Sequence, residues 1–156
     1  MRKTPIAPSP TEPRSPLDTW LDIEDLAAVE ISSEHPGHPF EAALNGGKGE
    51  GWRAAQPGRQ TIRLRFDKPT TIRRVRLEFR EPAVERSQEF HLSCTSTSGQ
   101  KREIAHQQWN FSPTGSTVEI EDYKVNASDC AMLELEIDPG RHDQNAIASL
   151  QSIAVA

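Results

Sequence analysis

From residue 27 onward the chain alternates between apolar and polar positions. Ile62, Leu64 and Phe66 interleave with Thr61, Arg63 and Arg65, and Val75, Leu77 and Phe79 with Arg74, Arg76, Glu78 and Arg80. Phe90, Leu92 and Cys94 interleave with Glu89, His91 and Ser93, and Val118 and Ile120 with Thr117, Glu119 and Glu121. Leu133, Leu135 and Ile137 interleave with Glu134, Glu136 and Asp138, and Leu150, Ile153 and Val155 close the chain. A period of two gives a strand one apolar and one polar face, as in antiparallel sheets covered on one side only. Asp67-Lys-Pro, Glu81-Pro, Ser98-Gly, Ser112-Pro-Thr-Gly and Asp138-Pro-Gly punctuate the runs, and strands so spaced predict an all-β sandwich or jelly roll. No long amphipathic helix interrupts them. Trp52, Leu64, Leu77, Phe79, Leu92, Leu135 and Ile153 are the predicted interior. Trp109 and Phe111, two apart before a turn, are expected to plug one end of it.

The beginning of the chain has a different character. Pro5, Pro8, Pro10, Pro13 and Pro16 remove backbone donors and fix φ, so residues 1–19 read as a proline-rich disordered lead-in. Residues 20–156 read as one domain, and a chain of 156 residues can bury a core without staples. Before the first run, residues 17–26 are acidic, with unevenly spaced Trp20, Leu21, Ile23 and Leu26; a short helical turn or an edge segment fits them. No run of about 18 apolar residues predicts a membrane span. The N-terminus has basic residues but no apolar stretch of signal-peptide type, so a soluble, cytoplasmic protein is the expectation. Cys94 and Cys130 make no disulfide framework. Set among alternating apolar residues, they are expected to be buried free thiols.

Charge is separated along the chain. Arg53, Arg59, Arg63, Arg65, Arg73, Arg74, Arg76 and Arg80 crowd the first strands, and Glu119, Glu121, Asp122, Asp129, Glu134, Glu136 and Asp138 the last. A jelly roll puts strands distant in sequence side by side, so the two rows are expected to pair across an outer sheet face, at a few tenths of a kcal/mol to about 1 kcal/mol each. The net charge of −5 and the lack of interleaved aromatics argue against a nucleic-acid surface. No Ser-His-Asp or Cys-His pattern stands out. His35-Pro-Gly-His38 is a turn before it is a metal site, lacking a third ligand nearby in sequence. His91 reads as a surface residue, and His106 and His142 as solitary.

Four stretches carry a resemblance: the strand ending in Ser32-Ser33; the small-residue turn Ala43-Leu44-Asn45-Gly46 followed by Trp52; residues 60–77, two alternating strands around Asp67-Lys-Pro; and the closing residues 146–156. In order and spacing they resemble the discoidin, or coagulation-factor type C, domain, a galactose-binding-domain-like family. The resemblance covers residues 27–156. It implies a jelly-roll β-sandwich of two antiparallel sheets and a non-catalytic binding module with no cofactor. Many members hold a structural calcium near the turn. Here Asn45 and Gln151 stand at the carboxylate positions, Glu50 at the hydroxyl position, and Lys48 inside the loop. Calcium needs six to eight hard oxygens, several of them charged, so a degenerate site without metal is expected, with Lys48 standing where the cation would be.

By the same resemblance, ligands are held by loops 35–40, 53–59 and 81–88. Their only bulky apolar residues are Phe40 and Val84, which does not favour membrane docking. Phe40 is the expected stacking surface for a sugar ring, and His38, Arg53, Gln56, Arg59 and Arg86 the expected hydrogen-bonding groups, arginine donating in a fixed fork. The implied partner is a carbohydrate or glycosylated ligand. The alternative is a cytosolic protein-protein interaction module that uses the same loops on a partner protein.

Overall fold

The computed structural model describes residues 20–44 and 49–156; the proline-rich stretch and residues 45–48, Asn45 and Lys48 among them, lie outside the described residues. A single helical turn, α1 (Ile23–Leu26), is capped by Asp22, whose side chain accepts from the Asp25 amide. It leads into β1 (Ala27–Ile31). One 3₁₀ turn, Phe40–Ala43, follows, and the remaining elements are strands: β2 (Trp52–Arg53), β3 (Gln60–Arg80), β4 (Arg86–Ser96), β5 (Lys101–Phe111), β6 (Val118–Asp138), β7 (Ser149–Leu150) and β8 (Ser152–Val155). No helix among the described residues is long and apolar enough to cross a membrane.

The topology turns on two strands of 21 residues each, β3 and β6. The first part of β3 lies between β1 and the second part of β6, which continues to β4 and then β5. The second part of β3 lies between β8 and the first part of β6. Register shifts between Arg65 and Arg74 separate the two parts, and such bulges bend a strand sharply. Each long strand thereby serves both layers of a jelly-roll sandwich. Across the layers, the Phe79 ring of one meets Phe90 of the other at 5.3 Å between centroids. A short pair, β2 with β7, closes one end.

All seven residues predicted for the interior are buried, as is Phe111; Trp109 is half-buried against the same core. The arginine and acidic rows do meet on the outer faces. Arg63 Nε is 2.6 Å from Glu134, its direct cross-strand partner, and Arg65 lies 2.9 Å from Glu30. Arg74 makes a bidentate pair with Asp122 and lies over the Trp20 ring at 4.7 Å.

Two expectations are corrected. Val118 and Ile120 point outward, whereas Glu119 is fully buried. The face of this segment is set by Tyr123, Val125 and Ala127, which pack on the core, and residues of that parity carry Glu119 and Glu121 inward with them. Burial first, then the hydrogen bond and charge of Glu121, push the Glu119 carboxyl up to about 8, while Gln88 Nε2 donates to it at 3.3 Å. The second correction concerns the cysteines, which are joined in a disulfide and not free. Residues 36 apart in sequence meet because β6 lies beside β4, with Ser96 opposite Cys130 at a bulge. Closing a loop of that length stabilises by about 4 kcal/mol in the chain-entropy account.

Candidate functional site

At the end of the sandwich closed by β2 and β7, three loops surround a pocket of about 180 Å³ lined by His38, Glu50, Trp52, Arg53, Arg80, Pro82, Ser149, Leu150 and Gln151. Its floor is rigid for identifiable reasons. The Trp52 ring is 1% exposed and its indole donates to the Ser33 carbonyl at 3.2 Å, anchoring the first loop to β2. The turn His35-Pro-Gly-His38 closes through His38 N–H to the His35 carbonyl at 2.9 Å, and Gly37 N–H donates to His35 Nδ1 at 3.0 Å. Two further backbone bonds bind this turn to β2: His35 N–H to the Arg53 carbonyl, 2.8 Å, and Arg53 N–H to the His38 carbonyl, 3.2 Å. Gly51 passes the Leu150 carbonyl so closely that a Cβ would lie 2.7 Å from it, and its φ is +77°; only glycine suits that crossing.

The walls are polar. Arg53 is exposed, and its guanidinium has no hydrogen bond or ion pair among the described residues, leaving all five donors for a ligand. Arg80 is half-exposed and its Nε lies 2.8 Å from Glu78. Glu50 contributes an exposed carboxylate. Gln151 donates from Nε2 to the Gly49 carbonyl at 2.7 Å. At the position where the resemblance expects a carboxylate, an amide N–H therefore occupies a backbone oxygen that could otherwise face a cation. The pocket offers both hydrogen-bond donors and acceptors, the arginines only donating and the Glu50 carboxylate only accepting. Among the described residues no hydroxyl or thiol hydrogen-bonds a histidine, as an activated nucleophile would.

Of the residues expected at this end, His38 and Arg53 line the pocket together. The others go elsewhere. Phe40 is 1% exposed and belongs to the core, so it cannot stack on a ligand; Pro39 starts the 3₁₀ turn whose inner side carries Phe40 and Ala43. Arg86 is buried too. Its Nε pairs with Glu81 at 2.9 Å, its Nη1 donates to Gln88 and to the Pro139 carbonyl at 2.9 Å each, and its guanidinium covers the Phe111 ring at 4.8 Å. It is a clamp for the 81–88 loop and not a ligand group. Arg59 is exposed but leans on the sheet face toward Glu136 and Asp138, at 3.6 and 3.9 Å. Gln56 is exposed outside the pocket, its carbonyl accepting from Gln60.

Arg80 and Ser149 were not anticipated, and Pro82 only as part of the loop 81–88. Arg80 could have been found, because it is the last residue of a strand that runs into a Pro-containing loop. Ser149 could not, since only the β2–β7 pairing brings it there.

No family model and no curated protein matches the sequence. Solved structures do match it in fold. The family 32 CBM of NanJ from C. perfringens, in complex with galactose, superposes with a TM-score of 0.64 at 11% identity over 87% of this chain and 96% of that one. The module CpGH89CBM32-5 from Clostridium perfringens, in complex with GalNAc-beta-1,3-galactose, gives 0.63 at 16% identity, over 88% and 99%. The CBM32 of AlyQ, in complex with 4,5-unsaturated mannuronic acid, gives 0.60 at 19%, over 85% and 95%. At such identities the likeness is one of fold, and the chain is an all-β, galactose-binding-like jelly-roll sandwich of the kind seen in these carbohydrate-binding modules.

Proposed function

We propose that this protein is a non-catalytic carbohydrate-binding module that holds one saccharide unit in the pocket lined by His38, Glu50, Arg53 and Arg80. The carrying observation is the free Arg53 guanidinium at the mouth of a pocket whose backbone is locked by Trp52 and the His35–His38 turn. Rigid loops bearing convergent polar groups suit recognition of ring hydroxyls. Arg80 is balanced by Glu78, so Arg53 is the cation left to meet a ligand's oxygens. The saccharide complexes named for the neighbouring structures support the same reading. The Cys94–Cys130 bridge counts against the cytoplasmic location expected from the sequence, because such bridges persist in oxidising surroundings.

A site of this size makes few contacts, so affinity is expected on the order of micromolar to millimolar. A glycan array should identify a ligand, and backbone chemical-shift mapping should then move His38, Arg53, Arg80 and Gln151. Arg53→Ala should lower affinity at least tenfold, worth about 1.4 kcal/mol, and leave the melting temperature unchanged. Shifts confined to the Arg63, Arg65, Arg74 and Arg76 face, with the pocket silent, would refute this location.

A further inference from the structure

A second cluster of chemistry-bearing side chains lies on the outer face of the β4–β5 pair. The register puts His91 directly opposite His106, and the two imidazoles stack at 3.8 Å between centroids. Glu89, two residues before His91, shares its face. Its carboxylate is 3.3 Å from His106 Nε2 and 3.7 Å from His91 Nε2. One ligand atom from each of the three residues falls within 4.8 Å of the other two. A fourth residue orients the first histidine: His91 Nδ1 is 3.0 Å from Glu103 Oε1. A carboxylate only accepts, so Nδ1 is the donor in this contact, and Nε2, on the side of Glu89, is the ring nitrogen left for a ligand. A carboxylate behind a histidine is the arrangement that orients metal-ligating imidazoles.

We propose that Glu89, His91 and His106 bind a borderline-soft divalent transition ion of the zinc class, with Glu103 as the positioning residue. Two imidazoles and one carboxylate form a three-ligand set that leaves one tetrahedral position for water or an outside donor. Zinc–nitrogen bonds of about 2.0–2.1 Å require ligand atoms about 3.3 Å apart. All three side chains are part-exposed or exposed, so χ rotations close that gap without moving the strands. His106 ligates through Nε2 with its ring proton on Nδ1, so the neutral ring binds by a change of tautomer and no net proton is released. Arg141, 3.9 Å from Glu89, is the cation that competes with the ion. Glu136 and Asp138 of β6 stand opposite His91 and Glu89 in register and add negative potential. β5 is the last strand of its sheet, and an ion bridging His91 and His106 would tie that edge to β4. Alternating residues on separate strands give no sequence motif, which is why His106 reads as solitary along the chain.

The test uses the whole chain, stripped with a chelator and titrated with zinc alone by calorimetry and thermal melting. One ion should bind per chain and raise the melting temperature. His91→Gln and His106→Gln should each abolish saturation, Glu103→Gln should weaken binding by about tenfold, and Arg141→Gln should tighten it. The double variant His35→Gln, His38→Gln should bind as the parent does. Absence of saturable binding by the parent would overturn the proposal, as would binding that survives His106→Gln or is lost with His35 and His38.

Discussion

The two parts of β6 make an instructive pair. In the second part, Leu133, Leu135 and Ile137 point into the core, while Glu134 and Glu136 face Arg63, Lys101 and Arg59 outside. In the first part the chemistry is reversed: Glu119 is 0% exposed and Ile120 is 51% exposed. The local sequences alternate in the same manner, and local hydrophobicity would orient both in the same way. What decides the first part is the parity of a longer segment. Tyr123, Val125 and Ala127 pack inside, and Asp122 is held outside by Arg74. Two carboxyl side chains at the end of that segment must then follow. The interior accommodates Glu119 by polar company, Gln88 donating to it and the Arg86 charge acting on it from the opposite layer, and by a carboxyl pKa pushed up to about 8.

The largest effect that separates the two parts is a cavity. Leu135→Ala should destabilise by about 2–5 kcal/mol, because Leu135 is 1% exposed between Ile62 and Leu92 in register. Urea unfolding measures it directly. A cost below about 1 kcal/mol would mean that the second part is not core, and the comparison would lose its reference half.

A smaller effect comes from the buried acid. Glu119 titrates at about 8 in the folded protein, against roughly 4.3 in an unfolded chain. The folded state therefore binds the extra proton between those values. The contribution is complete below the unfolded pKa, and stability declines as pH rises through the window toward 8. For one proton the slope cannot exceed about 1.4 kcal/mol per pH unit. Glu119→Gln keeps the hydrogen-bonding shape and removes the proton. Between pH 6 and 9 the parent should lose melting temperature faster than the variant. Parallel curves for the two proteins would show that Glu119 is solvated and outside.

Much of the architecture was legible because alternation and turn residues are local signals. The strands and the paired charge rows follow from them, whereas the burial of Trp52 was expected from the resemblance of its turn to the discoidin pattern. Even the burial of Arg86 was within reach: Arg86 and Gln88 share parity with Phe90, Leu92 and Cys94 on β4, so they point inward with them. What no local signal encodes is register between distant strands. It is register that sets Cys94 near Cys130, His91 against His106, and Ser149 beside Arg53. The pocket was half legible for the same reason. His38 and Arg53 sit on loops that any end-of-barrel reading would select, whereas the apolar Phe40 was more useful to the core than to a ligand.

The smallest expected effect is also the sharpest test of orientation. Ile120→Thr retains a β-branched side chain suited to a strand and removes only exposed apolar surface, so it should change stability by no more than about 0.5 kcal/mol. Its cross-strand partner, Glu78, is already engaged with Arg80 at 2.8 Å, so the new hydroxyl displaces no essential contact. Ile137→Thr, the same change in the other part of the strand, buries that hydroxyl among apolar neighbours and should cost well over 1 kcal/mol. The ratio of the two costs reports which face each isoleucine occupies, independently of any assumption about charge. Equal and large costs would place Ile120 inside, and Glu119 would then have to face water with an ordinary carboxylate pKa. The pH experiment and the isoleucine pair must therefore agree, and a disagreement between them would put a change of parity between residues 119 and 120.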